Sequence, residues 1–191
     1  MIGLETCDII VGIPSYNEAD SISFVTTQVD LGLTKYFPNL KCRIVNVDNN
    51  SPDGTKSAFL TTQTLNEKVY ITTPPGIKGK GNNFYNLFKY AKGSKAKAII
   101  VVDADLKSIT PEWIKKLVDP ILNEKKDFVS PLYIRHKYDG TITNNLVFPL
   151  IYSLFNKYIR QPIGGDFAVS ENLYNFYLTK EWSETTRHYG I

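Results

Sequence analysis

The chain has 191 residues, of which 42% are hydrophobic and 21% charged, and its formal net charge is +3. This composition is typical of a globular protein and excludes a disordered chain. The mild positive charge suits the binding of an anionic small molecule, but it is too small for a protein dedicated to binding nucleic acid. The first residues lack the basic and apolar segments of a signal peptide. We expect a cytoplasmic protein in which Cys7 and Cys42 are buried, reduced thiols.

Strands and helices alternate along the first two thirds of the chain. Short apolar runs predict the strands 8–14, 42–48, 69–73, 98–102 and 128–130. Helical spacing and capping residues predict the helices 20–31, 55–65, 82–92 and 110–122, with Gly32 as the stop signal of the first. This repeat favours an α/β fold with a mostly parallel central sheet and helices on both faces.

The pattern changes in the last third of the chain. Arg135–Gly140 is a charged, aromatic loop, either a lid or an ordinary surface loop. A helix is predicted at Phe148–Tyr158, and Gly164–Asp166 forms a turn that leads into a short strand. We therefore distinguish the regions 1–131 and 132–191 within one structural domain. The last residues carry no stop signal, so we expect the chain to be truncated there.

The longest apolar stretch is Leu146–Phe155. It is about half as long as a membrane-spanning helix must be, so we expect no transmembrane segment. Contact of this stretch with a membrane surface or with a partner stays open from the sequence, as does a homodimer.

Two aspartates follow the fourth predicted strand. Asp103 and Asp105 stand two residues apart, and in an extended chain such side chains point to the same side. Ligands of open α/β sheets bind at the carboxyl ends of the strands, and Mg²⁺ or Mn²⁺ is held there by one or two carboxylates and phosphate oxygens. We interpret the pair as a metal site for a diphosphate; the alternative is a helix cap or a solvated turn.

Three other segments carry polar residues suited to a nucleotide. After the first strand, Tyr16 can cover a ring and Glu18 can accept from a ribose hydroxyl, although both also suit a helix entry. Asp48 ends the second strand and either accepts from a base or ribose or forms a turn. Lys80 lies between two glycines before a helix, an arrangement that suits an anion but also an ordinary loop.

The turn at residues 164–166 is the last candidate. Gly164 and Gly165 clear space, and Asp166 can contact sugar or acceptor hydroxyls as a catalytic carboxylate. The alternative is a tight turn without a chemical role.

Four of these motifs, in this order, resemble the pattern of glycosyltransferase family 2. They are Pro14–Glu18 (PSYNE), Asp48–Thr55 (DNNSPDGT), Lys78–Asn82 (KGKGN) and Asp103–Asp105 (DAD). The stretch Arg160–Ala168 resembles, more loosely, the glucosyl-3-phosphoglycerate synthase and mannosylglycerate synthase branch.

The resemblance implies a GT-A fold and a metal-dependent transfer of sugar from a nucleotide-diphosphate sugar to an acceptor hydroxyl. Residues 1–131 would bind the nucleotide sugar, and residues 132–191 would begin the acceptor side. The resemblance implies that Pro14, Tyr16 and Glu18 line the nucleotide pocket, that Asp48 accepts a hydrogen bond from the base, and that Lys80 lies near the nucleotide. It implies that Asp103 lies near the ribose or the metal and that Asp105 coordinates the metal, Mg²⁺ or Mn²⁺. It places Gly164, Gly165 and Asp166 beside the donor sugar.

The resemblance leaves several points open. Inverting members of the family carry their catalytic base in a later acidic motif, which is not clear in this sequence, so the stereochemistry of transfer is undetermined. The nucleotide base and the sugar of the donor are also undetermined. The branch suggests a small phosphorylated acceptor. A sugar-nucleotidyltransferase is a second hypothesis, although its glycine-rich, arginine-containing loop is absent after the first strand. A non-catalytic nucleotide-sugar-binding domain is a third.

Overall fold

The computed structural model of the chain describes residues 5–134, 136 and 138–190, so Arg135 and Lys137 of the predicted lid loop lie outside the described residues. The described residues form one six-stranded sheet and seven α-helices. The strands are β1 (Ile9–Ser15), β2 (Cys42–Asp48), β3 (Glu67–Thr72), β4 (Ala98–Val101), β5 (Phe128–Val129) and β6 (Phe167–Ser170). The helices are α1 (Ile22–Tyr36), α2 (Thr55–Thr61), α3 (Lys80–Ser94), α4 (Pro111–Asn123), α5 (Phe148–Phe155), α6 (Glu171–Leu178) and α7 (Glu184–Tyr189), and a π-helical turn, Thr143–Val147, precedes α5.

The centre of the sheet consists of strands with mostly apolar side chains on both faces. Every residue of β1, β2 and β4 is buried. The strand order is β3-β2-β1-β4-β6-β5, and the first four strands are parallel. The register pairs Ser15 with Asp48, so the carboxyl ends of β1 and β2 lie level at the edge where parallel sheets bind ligands.

β6 runs antiparallel to both of its neighbours, β4 and β5. Val101 at the end of β4 pairs with Phe167 at the start of β6. Because a reversed strand begins where its neighbour ends, Asp166 comes to lie beside Asp103, 63 residues earlier in the chain. The sheet itself therefore places the predicted turn next to the predicted metal motif.

Two apolar cores lie on opposite faces of the sheet. Ile9, Val11 and Ile13 point into the core beneath α1 and α4, whereas Ile10 points into the core beneath α3 and α6. This alternation is the period of a strand buried on both faces. The predicted α/β architecture, with helices on both faces of a mostly parallel sheet, is confirmed.

The first helix continues past its predicted stop at Gly32. α1 ends at Tyr36, and Gly32 is buried inside it against α4. A Cβ on Gly32 would lie 2.8 Å from the carbonyl oxygen of Pro111 and 2.8 Å from Cγ1 of Ile114. The predicted stop was wrong because this glycine serves a close helix contact that local sequence does not encode.

We expect Gly32→Ala to lower the free energy of unfolding by about 1–3 kcal/mol, because the added methyl group must push α1 away from α4. The better helix propensity of alanine offsets part of this loss. Denaturation in urea measures the change. Gly93→Ala, at an exposed position near the end of α3, is the matched control and should stabilise the protein by up to about 1 kcal/mol. Equal effects of the two substitutions would contradict close packing at Gly32.

The helix predicted to reach Tyr158 ends at Phe155. Asn156 adopts a left-handed conformation with φ of 51° and donates its backbone N–H to the carbonyl oxygen of Tyr152, which terminates α5. α5 contains no buried residue, and Leu154 and Phe155 are among its exposed side chains. Within residues 5–134, 136 and 138–190, no helix has the combined length and apolar character that crossing a bilayer requires.

Candidate functional site

An open cleft of about 380 Å³, a volume found in small-molecule sites, lies at the ligand edge of the sheet. It is enclosed by the carboxyl ends of β1 and β4, the residue after β2 and the start of α3. Six of the predicted site residues line it: Pro14, Tyr16, Glu18, Lys80, Asp103 and Asp105. The other four, Asp48, Gly164, Gly165 and Asp166, lie outside this lining. The cleft thus brings together residues of all four motifs, since Asn49 of the second motif also lines it.

One rim of the cleft is formed by an aromatic ring and a lysine. Lys78 Nζ donates to the hydroxyl of Tyr16 at 2.8 Å and lies 4.7 Å from the centre of its ring. Both side chains are exposed. The rim therefore combines a positive charge with a ring face that is accessible to a ligand.

The loop after β1 is held by the second motif, a role that the sequence analysis missed. Ser51 Oγ accepts from the backbone N–H of Asn17 at 2.9 Å, and Thr55 Oγ1 accepts from that of Glu18 at 2.9 Å. Asp53 Oδ2 accepts from the N–H of Ala19 at 3.1 Å. Three side chains of one turn thus fix the backbone of the other loop, which positions Tyr16 and Glu18.

Asp48 is fully buried at the end of β2, and both of its carboxylate oxygens are used inside the protein. Oδ1 accepts from the hydroxyls of Ser15 (2.7 Å) and Ser51 (2.6 Å). Oδ2 accepts from the backbone N–H of Ser51 (2.7 Å) and the hydroxyl of Tyr70 (2.9 Å). Four donors fill the usual capacity of a carboxylate. A contact between Asp48 and a base stays a prediction and would have to displace one of these donors.

The two aspartates after β4 differ in their surroundings. Asp103 is half-buried and forms an ion pair with Lys80, whose ammonium group contacts Oδ1. Asp105 is exposed and makes no hydrogen bond or ion pair with the residues that the structure describes. Asp105 is therefore the carboxylate more accessible to a cation.

The carboxylates at the cleft fit a divalent cation that shares its ligands with a phosphate group. Asp103 and Asp105 supply oxygen ligands, the kind that Mg²⁺ and Mn²⁺ prefer. Over the described ranges, no three His, Cys, Asp or Glu side chains cluster into a complete metal site. A cation here would need further oxygens from phosphate and water, as is usual for Mg²⁺.

Asp166 lies behind Asp103 rather than in the open cleft. It is 3% exposed, its Oδ1 accepts from the backbone N–H of Asp103 at 2.9 Å, and its Oδ2 accepts from the hydroxyl of Tyr133. Burial raises the pKa of Asp166, and the hydrogen bond from Tyr133 opposes this change. The geometry is that of a side chain that fixes the backbone at Asp103.

We expect the free energy of unfolding of Asp166→Asn to increase relative to that of the unmodified protein as the pH rises. The raised pKa in the folded state means that Asp166 stabilises the fold most when protonated, and this contribution is lost as pH rises from the unfolded value of about 3.9 through the folded value. Urea unfolding of both proteins between pH 3 and 7 measures the difference, and a difference independent of pH would contradict the raised pKa.

Gly165 allows the close approach of Asp103. A Cβ on Gly165 would lie 1.8 Å from Asp103 Oδ2, whereas a Cβ on Gly164 would have no atom closer than 3.6 Å. Both glycines and Asp166 line a second cavity, which shares Lys80 with the cleft. The predicted turn thus adjoins the cleft through Asp103 and Lys80.

The glycines on either side of Lys80 accommodate α7, a helix that the sequence analysis did not predict. A Cβ on Gly79 would lie 2.5 Å from the carbonyl oxygen of Arg187, and one on Gly81 would lie 1.8 Å from that of Thr186. The sequence analysis leaves two interpretations of these glycines open, room for an anion or an ordinary loop. The close approach in the structure is instead that of the α7 backbone, which fixes the start of α3.

The fold is the GT-A fold, and comparison with known structures confirms it. Three complexes of Mycobacterium tuberculosis glucosyl-3-phosphoglycerate synthase are similar to this chain. The complex with Mn²⁺, UDP and phosphoglyceric acid is 22% identical, with a TM-score of 0.70 over 87% of this chain and 57% of that chain. The complex with Mn²⁺, UDP-glucose and phosphoglyceric acid is 21% identical, with a TM-score of 0.69 over 87% and 58%. The complex with Mg²⁺ and UDP is 21% identical, with a TM-score of 0.68 over 87% and 57%.

The model of glycosyl transferase family 2 matches residues 10–182, and the chain belongs to this family. No curated protein matches the chain significantly. The chain spans somewhat more than half the length of the synthase structures to which it is similar.

Proposed function

We propose that this chain is the donor-binding part of a metal-dependent glycosyltransferase, which transfers a sugar from a nucleoside-diphosphate sugar to an acceptor hydroxyl. The observation that carries this proposal is the meeting of Asp103, Asp105 and Lys80 in one cleft with the loop after β1. Membership of glycosyl transferase family 2, and the Mn²⁺, UDP and UDP-glucose in the complexes of structurally similar synthases, support it.

The cleft residues divide into a diphosphate end and a nucleoside end. A Mg²⁺ or Mn²⁺ ion held by Asp105 and Asp103 would supply Lewis-acid stabilisation of the charge on the leaving diphosphate. Lys80 brings a further positive charge to the same end. Pro14, Tyr16 and Glu18 line the cleft beside them, and we assign them to the nucleoside.

We assign Asp166 a positioning role and place the donor sugar beside Gly164 and Gly165. Both oxygens of Asp166 are engaged, with Asp103 and Tyr133, which argues against direct proton transfer by this carboxylate. The second cavity contains both glycines and opens next to Lys80, so a sugar attached to the diphosphate can reach it.

Calorimetry with UDP, GDP and their sugar conjugates, with and without Mn²⁺, tests donor binding. We expect at least one of these nucleotides to bind and Mn²⁺ to strengthen that binding by about tenfold or more, since Asp103 and Asp105 would hold the cation and the cation would offset the charge of the diphosphate. If none of the nucleotides binds in the presence of Mn²⁺, the proposal is wrong.

Transfer should be tested in the longest available form of the protein, because the chain spans about 57% of the similar synthase. We propose that residues 1–131 bind the donor and that residues 132–191 begin the site of a small phosphorylated acceptor, as phosphoglyceric acid is present in the similar synthase complex. Release of UDP or GDP that depends on the acceptor supports transfer. Binding without turnover favours a non-catalytic domain, and release of pyrophosphate from a nucleoside triphosphate favours a nucleotidyltransferase.

We also propose a cytoplasmic location. Cys7 and Cys42 are free, buried thiols, as a reducing compartment favours. Burial raises their pKa values to about 11 and about 12, so both are protonated and unreactive at neutral pH.

Peripheral membrane contact and a homodimer stay predictions that concern the exposed apolar side chains of α5. Vesicle flotation and sedimentation equilibrium test them.

A further inference from the structure

The backbone hydrogen bonds that follow β4 pass from a neighbouring strand to a side chain at the first aspartate of the metal motif. The N–H of Val102 donates to the carbonyl oxygen of Gly12 in β1, at 3.1 Å. The next N–H, that of Asp103, donates to Oδ1 of Asp166 at 2.9 Å. The carboxylate of Asp166 therefore fixes the backbone at the point where the two metal-site carboxylates begin.

Asp166 depends in turn on a tyrosine outside the cleft. The carboxylate is 3% exposed, so it must find its hydrogen-bond donors inside the protein. Among the described residues it has two such donors, the N–H of Asp103 for Oδ1 and the hydroxyl of Tyr133 for Oδ2. Loss of the tyrosine hydroxyl leaves a buried acceptor without a donor, which is costly. A rotation of Asp166 toward another donor then becomes favourable, and it weakens the bond to Asp103.

Packing holds the tyrosine ring in place. Tyr133 lies against Trp113 of α4, with the ring centres 5.7 Å apart and the rings tilted by 42°. Trp113 packs against the core beneath α1 and α4. A large ring held by such a contact has little rotational freedom, so the position of its hydroxyl is well defined. The contact thus ties Asp166 to α4 through Tyr133.

We infer that Tyr133 is a positioning residue for the metal site. Its hydroxyl fixes Asp166, Asp166 fixes the backbone of Asp103, and this backbone determines where Asp103 and Asp105 offer their carboxylates to a cation. Tyr133 does not line the cleft, so it acts through Asp166 and not by contact with the nucleotide there. The inference rests on the proposed function and adds to its site a residue from the segment after β5.

The effect should be confined to the part of nucleotide binding that depends on the cation. Asp103 and Asp105 assist a diphosphate only when a divalent cation lies between the negative charges, because carboxylates and phosphates repel each other otherwise. A displaced carboxylate therefore weakens binding in the presence of Mn²⁺ and not in its absence. A tyrosine that only stabilised the fold would not make this distinction.

The first test is Tyr133→Phe, which keeps the ring and its contact with Trp113 but removes the hydroxyl. We expect the affinity for UDP or GDP in the presence of Mn²⁺ to fall about tenfold, the effect of one lost hydrogen bond, and the affinity without Mn²⁺ to stay unchanged. Calorimetry measures both. Tyr36→Phe is the matched control, because the Tyr36 hydroxyl also donates to a carboxylate, that of Glu112 at 2.9 Å, outside the lining of the cleft. It should change neither affinity.

A double-mutant cycle tests whether Tyr133 acts through Asp166. In the background of Asp166→Ala, Tyr133→Phe should cause no further loss, because the connection is already broken. Asp166→Asn keeps an oxygen for the N–H of Asp103 and gains an NH₂ group that can donate to the tyrosine oxygen, so it should retain most of the Mn²⁺ effect. Additive losses in the cycle would show that the two residues act separately.

Hydrogen exchange provides a readout that needs neither metal nor nucleotide. Tyr133→Phe should make the amide of Asp103 exchange about tenfold faster, because its acceptor is less well held. The amide of Val102, which is bonded to Gly12, should exchange as in the unmodified protein and serves as the internal reference. NMR spectroscopy resolves the two amides.

The possible outcomes separate this inference from the proposed function. If Mn²⁺ strengthens nucleotide binding equally in Tyr133→Phe and in the unmodified protein, or if exchange at Asp103 is unchanged, the inference is overturned and the proposed function stands. Equal weakening of binding with and without Mn²⁺, together with a lower midpoint of thermal unfolding, would show a purely structural tyrosine and overturn it as well. If Mn²⁺ has no effect on nucleotide binding by the unmodified protein, the proposed function fails, and the inference fails with it.

Discussion

Replacement of Asp105 by asparagine should remove the Mn²⁺-dependent part of nucleotide binding, with a loss of affinity of about 100-fold for the UDP or GDP that binds. Asp105 is the exposed carboxylate of the cleft, and it has no ion-pair partner in the described residues, so its charge is available to a cation. Interactions with charged groups contribute up to about 3 kcal/mol each, which corresponds to this loss. Calorimetry of the variant with and without Mn²⁺ measures it.

The control for this prediction is Asp119→Asn, which removes a half-buried carboxylate of α4 whose ion-pair partner is Lys115. Its effect on nucleotide affinity should be negligible, because surface ion pairs contribute little and α4 lies outside the cleft. Asp103→Asn should also weaken binding, and it additionally frees Lys80 from its ion pair. Retention of the full Mn²⁺ effect in Asp105→Asn would remove Asp105 from the metal site.

Gly165→Ala should be the more disruptive of the two neighbouring glycine substitutions, lowering both nucleotide affinity and stability. The added Cβ would lie 1.8 Å from Asp103 Oδ2, a distance that no real contact reaches, so either Asp103 or the turn before β6 must move. Overpacking of this kind costs about 1–3 kcal/mol. We expect a loss of nucleotide affinity of about tenfold or more, because displacement of Asp103 disturbs its pair with Lys80.

Gly164→Ala provides a control at the adjacent position. Its Cβ would have no neighbour closer than 3.6 Å, an ordinary contact distance, so the variant should retain its stability and its affinity for the metal and nucleotide. Thermal unfolding and calorimetry of the two variants side by side measure the contrast. Similar behaviour of both would show that the turn adapts without moving Asp103.

The central strands could be predicted well because their signal is local. The predicted second strand, Cys42–Asp48, has the observed bounds of β2, since a mostly apolar run bounded by turn residues defines it. The position of Asp103 and Asp105 at the ligand edge follows from the same rule, since the carboxyl ends of parallel strands share one edge. The α/β fold and the collection of motifs at one cleft were therefore accessible from the sequence.

The features that the sequence did not reveal depend on contacts between distant segments. The saturation of Asp48 requires the register that places Ser15 opposite it and Tyr70 beside it. The space beside Gly81 is filled by Thr186, about a hundred residues later in the chain. Neither relation has a local pattern, so the sequence alone leaves open whether Asp48 contacts a base or forms a turn, and whether the glycines make room for an anion or form an ordinary loop.

The position of β6 also sets the order in which the protein can assemble. β6 comes late in the chain but lies between β4 and β5, so β4 lacks its second neighbour until residue 170 is available. During synthesis the emerging chain would carry an open, apolar strand edge for most of its length, a state that invites association with other chains. A gene fragment that stops before residue 167 should therefore give insoluble protein.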